Sequence, residues 1–381
     1  MKLLIIPSWY SSPAMPVLGS VFREQAEALA ARGVDVAVLY TEVNNKFRGS
    51  GITVQNVNGV ATYKYFRPNL TPKWERGRAF QRRLMMHRLY RRLEREWGRP
   101  DVINLRSSLQ GDEAVSLAKW ENLPLFFMEH SSFVVTEGAG SAAQKRLFAT
   151  MDAAAVNACV GSTLYEVMAP HKETRIIPDF VDGERFSILP QEKGENAPFL
   201  FAAMGQLRPI KGYDMLIEAF AKLRGLTDRP IRLHIAGAGD ERERLQKLID
   251  RLGIGEDCRL VGAVPREQVP AFMNACDCFI CSSRREMLSC VLHECAACGK
   301  PAIGTMCGGP QDIITDETGL LVPVDDPCAM AAAMLRMLDG APKYDPEVIR
   351  ASILERFSVE TVCGQLVRAC EDAIAMLNAK C

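Results

Sequence analysis

Two carboxylates and the residues between them are the first feature of this sequence that could do chemistry. Glu286 and Glu294 lie eight residues apart and flank a predicted strand-to-helix turn. A carboxylate accepts from two O–H donors at once, which suits ribose hydroxyls. Between them, the backbone N–H groups of Leu288, Ser289 and Cys290 would open the helix, and a helix N-terminus suits a phosphate. Taken alone, the two carboxylates could equally be a helix-dipole partner and a solvated side chain.

A second feature is the loop GQLRPIKG at residues 205–212, which follows a predicted strand. Ligands of open α/β sheets bind at the carboxyl ends of the strands. The loop places Arg208 and Lys211 there, and fixed positive charge would stabilise a leaving diphosphate. For this loop alone, a connection with solvated cations stays an open alternative.

The elements that must position these residues are predicted from the hydrophobic pattern. Short apolar runs alternate with longer amphipathic segments, which indicates βαβ units and parallel sheets. The pattern restarts midway, so we predict an α/β protein of two tandem Rossmann-like, doubly wound domains. The predicted strands are 3–6, 34–40, 101–105, 125–128, 153–160, 199–204, 231–236, 259–261, 277–281, 301–304 and 319–322, with helices at 21–32, 214–224 and 241–252.

Length and composition fit this organisation. At the usual domain size, 381 residues make two domains, which we place at 1–189 and 190–358 with a polar linker at 190–198. Residues 359–381 have a helical period and could pack back onto the first domain. Hydrophobic residues make up 48% and charged residues 24%, which excludes a disordered or collagen-like chain.

Charge and cysteine usage exclude other classes of function. The formal net charge is +0, so no global field attracts nucleic acid, and we expect no nucleic-acid partner. The apolar run in residues 1–10 is too short for a signal peptide, so we expect a cytoplasmic protein. The sequence has 13 cysteines, an odd number, among apolar neighbours. The pair Cys295 and Cys298 has no second pair to complete a metal site, so we expect packing there.

Six motifs in order resemble those of glycosyltransferase family 4, the retaining, nucleotide-sugar-dependent group of GT-B transferases. The sequence segments that carry the resemblance are IPDFVD at 177–182, GQLRPIKG at 205–212, IAGAG at 235–239, VGAVP at 261–265, EMLSCVLHE followed by CAACGKP at 286–301, and GGP with GLLV at 308–310 and 319–322. The resemblance is strong from about residue 176 to 338 and looser before it. It implies a GT-B fold and sugar transfer from a nucleoside diphosphate to an acceptor hydroxyl.

The resemblance also implies roles for single residues. Glu294 would hold the donor ribose, and Glu286 would contact the donor sugar near its reacting carbon. Lys211 matches the lysine that clamps the phosphates. The matching arginine falls at Gln206, a departure from the family pattern, and Arg208 is the neighbouring cation that could replace its charge.

Further donor-binding positions follow from the same resemblance. In the second domain they are the amides of Leu288, Ser289 and Cys290, together with Gly205, Gly237 and Val264. In the first domain, Gly19 matches a glycine loop over the donor phosphate. The segment EHSS at 129–132 resembles a family segment that places His130 near the sugar.

No Asp-x-Asp pair occurs in the sequence, so we expect no metal and no cofactor beyond the nucleotide-sugar substrate. The acceptor, a saccharide or a lipid-linked saccharide, cannot be predicted, and cell-envelope polysaccharide or glycolipid synthesis is an expectation from the family. Two alternatives stay open. One is a GT-B nucleotide-sugar epimerase or hydrolase, and the other is a catalytically weak protein that binds nucleotide or membrane in an assembly.

Residues 73–99 form the sharpest charge asymmetry, with ten Lys or Arg against three Glu. Apolar residues recur there at helical spacing, which predicts a basic amphipathic helix. Such a helix could lie on an anionic membrane, at the inner face if the protein is cytoplasmic. Alternatively its apolar stripe covers the sheet, as any α/β domain needs.

Overall fold

The computed structural model describes residues 1–10, 19–44, 49–70, 75–190, 194, 197–340 and 342–379. The chain divides into two compact units, one of Met1–Pro178 with Val362–Cys381 and one of Asp179–Thr361. Most of the predicted linker at 190–198 lies outside the described residues.

The first unit is built on an eight-stranded sheet in the order β3-β4-β2-β1-β5-β6-β7-β8. All neighbours are parallel except β3 and β4, which form an antiparallel hairpin. Its strands are β1 (Lys2–Pro7), β2 (Asp35–Val43), β3 (Gly51–Val57), β4 (Val60–Arg67), β5 (Val102–Arg106), β6 (Leu125–Glu129), β7 (Val156–Cys159) and β8 (Arg175–Ile176), and its helices are α1 (Ser20–Ala31), α2 (Glu75–Glu96), α3 (Gly111–Glu121), α4 (Phe133–Glu137), α5 (Ala142–Ala153) and α6 (Ser162–Met168).

The second unit is built on a six-stranded parallel sheet in the order β11-β10-β9-β12-β13-β14. This order reverses between β9 and β12, which is the switch point of a doubly wound sheet. Its strands are β9 (Phe199–Met204), β10 (Ile231–Ala236), β11 (Cys258–Gly262), β12 (Cys278–Cys281), β13 (Ala302–Thr305) and β14 (Gly319–Val322), and its helices are α7 (Tyr213–Arg224), α8 (Arg242–Leu252), α9 (Val269–Ala275), α10 (Cys290–Ala297), α11 (Gly309–Ile313), α12 (Pro327–Leu338) and α13 (Pro346–Phe357).

In the second sheet, strands β12 and β13 are buried along their whole length, which explains their mostly apolar sequences. In β9, Phe201 and Ala203 belong to one core cluster, while Ala202 between them belongs to the other. This alternation follows from the two-residue period of a strand. The predicted pair of doubly wound sheets is therefore confirmed.

The division between the units falls at residues 178/179, whereas the sequence predicts 189/190. Residues 179–189 pack on the second unit because their backbone is bonded there. The Val181 N–H donates to the Phe357 carbonyl at 2.8 Å, and Arg350 donates to the carbonyls of Phe186 and Gly183 at 2.5 and 2.6 Å. Phe186 is 1% exposed and belongs to the same core cluster of the second unit as Ala202.

The last helix, α14 (Val359–Asn378), returns the chain to the first unit, to which residues from Val362 onward belong. Arg175 of β8 forms an ion pair of 2.6 Å with Asp372 of this helix. Within the described ranges, every helix is too short or too polar to cross a membrane.

Candidate functional site

The loop after β9 presents Lys211 to the carboxylate of Glu286. Pro209–Lys211 form one 3-10 turn, and Gly212 then adopts a left-handed conformation with φ of 64° before α7. A Cβ on Gly212 would stand 2.1 Å from the Ser282 carbonyl oxygen, so only glycine fits. This close approach fixes where the Lys211 side chain starts, and Lys211 Nζ forms an ion pair with Glu286 Oε1.

Glu286 is held through both its side chain and its backbone. The carboxylate also accepts from Ser283 Oγ at 2.8 Å. Its N–H donates to the Cys307 carbonyl at 3.3 Å, and its carbonyl accepts from the Gly309 N–H at 2.9 Å. Burial opposes the charge on Lys211, but the Glu286 carboxylate outweighs it, and the pKa of Lys211 is raised. The lysine is therefore a fixed cation at neutral pH.

Arg284 holds this arrangement together, and the sequence analysis missed it. Its N–H donates to the Ile210 carbonyl at 2.7 Å, and its guanidinium forms ion pairs with Asp325 at 2.7 Å and Asp214 at 3.0 Å. These contacts join the loop after β12 to the loop before α7, to α7 itself and to the segment after β14. The only sequence signal was a pair of arginines directly before the first glutamate of the motif.

The start of α10 provides backbone donors. The helix begins at Cys290, as the motif predicts. Among the described residues, the N–H groups of Leu288, Ser289 and Cys290 donate to no other group. Donors of this kind at a helix N-terminus suit an anion.

Glu294 lies one turn further along α10, and Arg266 orients its carboxylate. Arg266 Nη1 forms an ion pair with Glu294 Oε1, and the glutamate side chain is only 9% exposed. The Arg266 guanidinium lies 5.2 Å from the centre of the Phe186 ring. The backbone carbonyl of Arg266 accepts a hydrogen bond from the Arg185 guanidinium at 2.9 Å. The sequence analysis missed Arg266 because nothing in a pattern signals a partner 28 residues away.

The remaining predicted residues of the second unit lie around the same strand ends. Gly205 and Gly237 directly follow β9 and β10, and a Cβ on Gly237 would stand 1.8 Å from the Gly205 carbonyl oxygen. Val264 is half-buried against the core. Arg208 and Gln206 are exposed, and within the described part of the chain Arg208 has no acidic partner. The replacement of the family arginine by Arg208 stays a prediction.

His130 belongs to the first unit, in the loop after β6. Phe22 meets its ring edge-on at 4.9 Å, and Arg106 Nη1 lies 3.5 Å from His130 Nε2. Burial and the Arg106 charge lower the pKa of His130 well below its usual value, so the imidazole is neutral at pH 7.

The fully buried Glu129 holds the backbone around this histidine. One carboxylate oxygen accepts from the N–H groups of His130 and Ser131 at 2.9 and 2.8 Å, and the other accepts from Ser108 at 2.9 Å. Gly19 precedes α1 with φ of 79°. The rest of its loop, residues 11–18, lies outside the described residues, so its contact with a donor phosphate stays a prediction.

In the described ranges, no three His, Cys, Asp or Glu side chains are placed to hold a metal ion. Cys295 and Cys298 are buried in the core cluster of the second unit that also contains Ala202. Burial raises the pKa of Cys298 to about 12 and that of Cys295 well above its usual value. Both thiols are protonated at neutral pH and pack as small apolar side chains.

Two family profiles match this chain, one over each of its halves. The sequence profile of the glycosyl transferases group 1 matches residues 186–350, which hold the Lys211–Glu286 pair and Glu294. The profile of glycosyltransferase family 4 matches residues 18–185. The chain belongs to the group 1, family 4 glycosyltransferases. The resemblance drawn from the sequence motifs is thereby confirmed.

Curated relatives match part of this chain. The lipopolysaccharide core biosynthesis glycosyltransferase LpsE of Rhizobium meliloti is 32% identical over 213 residues, which are 55% of this chain and 58% of LpsE. A D-inositol 3-phosphate glycosyltransferase of Acidothermus cellulolyticus is 30% identical over 185 residues, 45% of this chain and 40% of that protein. The chain spans about half the length of the curated relatives it matches.

Solved structures match nearly the whole chain. Sucrose-phosphate synthase from Thermosynechococcus elongatus aligns with a TM-score of 0.78 at 21% identity, over 98% of this chain and 100% of that one. Anabaena HepE, solved in complex with UDP and glucose, aligns with a TM-score of 0.72 at 17% identity, over 97% and 99%. At these identities the likeness establishes the fold, and the predicted GT-B architecture is confirmed.

Proposed function

We propose that this chain is a retaining glycosyltransferase that moves a sugar from a nucleoside diphosphate to an acceptor hydroxyl. The observation that carries the proposal is the Lys211–Glu286 ion pair in the same unit as the backbone amides at the start of α10. A cation and amides suit a diphosphate, and a carboxylate suits a sugar hydroxyl.

In this proposal the bond between the anomeric carbon and the diphosphate oxygen breaks, and its electron pair leaves with the diphosphate. Lys211 and the amides of Leu288, Ser289 and Cys290 take up the developing negative charge. Glu286 holds the oxocarbenium-like sugar, and Glu294 holds the ribose. The acceptor oxygen then bonds to the anomeric carbon on the face that the diphosphate leaves, and its proton passes to the departing diphosphate.

The Lys211–Glu286 pair must open for this reaction, because both charged groups would take new partners. The donor phosphate would draw Lys211, and a sugar hydroxyl would donate to Glu286 in its place. Before the donor binds, the ion pair therefore holds the Lys211 ammonium group beside the proposed donor site. Because cations supply the charge stabilisation, we propose that no metal ion is needed.

Names of similar proteins support the choice of substrates. HepE was solved with UDP and glucose, LpsE is named for lipopolysaccharide core biosynthesis, and the Acidothermus protein for inositol phosphate. We propose a saccharide or lipid-linked saccharide as acceptor, in cell-envelope polysaccharide or glycolipid synthesis. We also propose a cytoplasmic enzyme that contacts the inner face of the membrane through the basic segment 73–99.

The test is an assay of the purified chain with a panel of nucleotide sugars, candidate acceptors and a chelator. We expect acceptor-dependent release of the nucleoside diphosphate that the chelator does not abolish. Nuclear magnetic resonance of the product should show the anomeric configuration of the donor. Inversion would overturn the retaining mechanism. Sugar release without acceptor would favour a hydrolase, an isomerised donor an epimerase, and nucleotide binding without turnover an assembly partner.

A further inference from the structure

Arg106 is a charged side chain in the interior of the first unit, and the proposed reaction does not use it. It ends β5 and is 1% exposed. Its Nε donates to Asn104 Oδ1 at 2.5 Å, and its Nη1 donates to Gln25 Oε1 at 2.7 Å. Asn104 and Arg106 lie on the same face of β5, since side chains two residues apart in a strand do so. The guanidinium is therefore held by amides, which are neutral and do not cancel its charge.

The ring of His130 lies against this guanidinium. Arg106 Nη1 is 3.5 Å from His130 Nε2, and Phe22 meets the ring edge-on at 4.9 Å. The carboxylate of Glu129, the preceding residue, is turned to the backbone, where its two oxygens accept from three N–H groups. His130 is half-buried, whereas Arg106 is fully buried. A molecule that binds here would therefore touch the imidazole rather than the guanidinium.

The chemistry of arginine decides which nitrogen of His130 carries the proton. A guanidinium has only N–H donors and keeps its charge in proteins. An N–H on His130 Nε2 would point at those donors, so this nitrogen must present its lone pair. The single proton of the neutral ring then lies on Nδ1. The positive charge at 3.5 Å also opposes a second proton, in agreement with the lowered pKa of His130.

We propose that Arg106 is a positioning residue that fixes the proton of His130 on Nδ1, so that the ring presents one neutral N–H donor to the substrate. A sugar oxygen would accept from this donor. The inference rests on the proposed sugar transfer, in which positive charge develops on the sugar. An imidazolium beside that sugar would oppose the reaction, whereas a neutral N–H donor would not.

The first measurement is nuclear magnetic resonance of the imidazole nitrogens in the full chain, with isotope-labelled histidine. The sequence has 5 histidines, and comparison with His130→Gln identifies the signals of His130. We expect a protonated Nδ1, an unprotonated Nε2 and no titration from about pH 7.5 to about pH 5.5, whereas an ordinary histidine titrates near about pH 6.5. A proton on Nε2, or titration in this range, would overturn the inference. This measurement requires neither catalysis nor a substitution of Arg106.

The second measurement is the pH dependence of kcat/KM, relative to the unchanged chain, in three variants. Arg106→Gln removes the charge, so His130 should titrate near about pH 6.5, and the relative kcat/KM should fall about tenfold from about pH 7.5 to about pH 5.5. Arg106→Lys keeps a positive charge and should show no such fall. The matched control is Arg99→Gln. Arg99 precedes the same strand, where it donates to the Asn122 carbonyl at 3.3 Å, and its loss should change neither the profile nor the His130 signals.

Two kinetic results would show that Arg106 acts on stability alone and not on His130. One is an unchanged pH profile in Arg106→Gln, and the other is the same acid loss in Arg99→Gln. If the chain transfers no sugar but the His130 proton lies on Nδ1, the proposed reaction fails and the effect of Arg106 on His130 stands. If transfer occurs but His130 titrates like an ordinary histidine, the proposed reaction stands and this inference fails.

Discussion

At the scale of single residues, the site is organised by pairs of opposite charge. Glu286 is paired with Lys211 and Glu294 with Arg266, so each carboxylate of the motif has its own cation. Removing one partner of a partly buried ion pair leaves the charge of the other partner without a counter-charge. Substitutions here therefore change both charge stabilisation and the position of the remaining partner.

Lys211→Ala removes the cation proposed to meet the leaving diphosphate. We expect turnover to fall about 10²–10³-fold, the usual cost of removing one preorganised donor. The measurement is kcat with saturating donor. Lys222→Ala, at an exposed lysine on the following helix α7, is the matched control and should retain full turnover. Unchanged kcat in Lys211→Ala would remove this lysine from the mechanism.

The carboxylates and the amides of the candidate site could be predicted from the sequence. Glu286, Glu294 and the amides between them were recognisable because they lie close together in one segment. Arg266 and Arg284 were not, because their partners come from other loops and only the folded sheet brings them together. A spacing rule finds residues on one element, whereas ion pairs between loops depend on how strand ends meet.

At the scale of elements, Gly212 connects the cation loop to α7. Gly212→Ala should destabilise the protein because its φ is 64° and its Cβ would lie 2.1 Å from the Ser282 carbonyl oxygen. Gly253→Ala is the matched control, since Gly253 has φ of 69° with nothing within 4 Å of its Cβ.

In chemical denaturation, Gly253→Ala should cost about 1 kcal/mol for the left-handed backbone. Gly212→Ala should cost about 1–3 kcal/mol more for the overlap, and it should also slow turnover because it displaces the preceding lysine. Equal losses of stability in the two variants would show that the close approach of Gly212 to the Ser282 carbonyl oxygen does not exclude a larger residue.

Helix α10 also contains His293, which is 1% exposed and packs 4.1 Å from the Phe357 ring centre. Burial, with a smaller effect of Arg356, lowers its pKa to about 3. In the unfolded chain its pKa is about 6.5. The unfolded state therefore binds a proton that the folded state excludes as the pH falls below about 6.5.

This difference in pKa predicts a loss of stability in acid. The free energy of unfolding should fall by up to about 1.4 kcal/mol per pH unit below about pH 6.5 on account of this one histidine. His293→Leu should make that pH dependence shallower, whatever its effect at neutral pH. Thermal unfolding from about pH 7.5 to about pH 5 measures it, and an unchanged slope would contradict the assignment.

The predicted strands were recognisable because strands buried on both faces read as unbroken apolar runs. The β3–β4 hairpin was missed because β3 is an edge strand of mostly exposed residues. Its signal was the pair Asn58 and Gly59, whose positive φ values of 51° and 79° fit a two-residue turn. The pattern of hydrophobic residues thus predicts buried strands better than edges.

At the scale of the whole molecule, the chain is two units, and residues far apart in sequence complete each. The C-terminal helix belongs to the first unit, and residues 179–189 belong to the second. The sequence analysis raises the return of the C-terminal helix to the first unit. The assignment of residues 179–189 could not be predicted, because it depends on long-range contacts such as the Arg350 bonds to the carbonyls of Gly183 and Phe186. The proposed donor site lies in the second unit, where loops hold Lys211 and Glu286 and helix α10 holds Glu294.

The measurement that tests this claim most directly is a thermal-shift panel of UDP, GDP, ADP, CMP and TDP with a chelator present. A ligand that binds only the folded state raises the unfolding temperature with its concentration. We predict that one nucleotide stands out, that Glu294→Ala abolishes its effect, and that Glu267→Ala, an exposed glutamate nearby, does not. If none of the nucleotides shifts the transition, or if Glu294→Ala responds like the unchanged chain, the donor site is not where we place it.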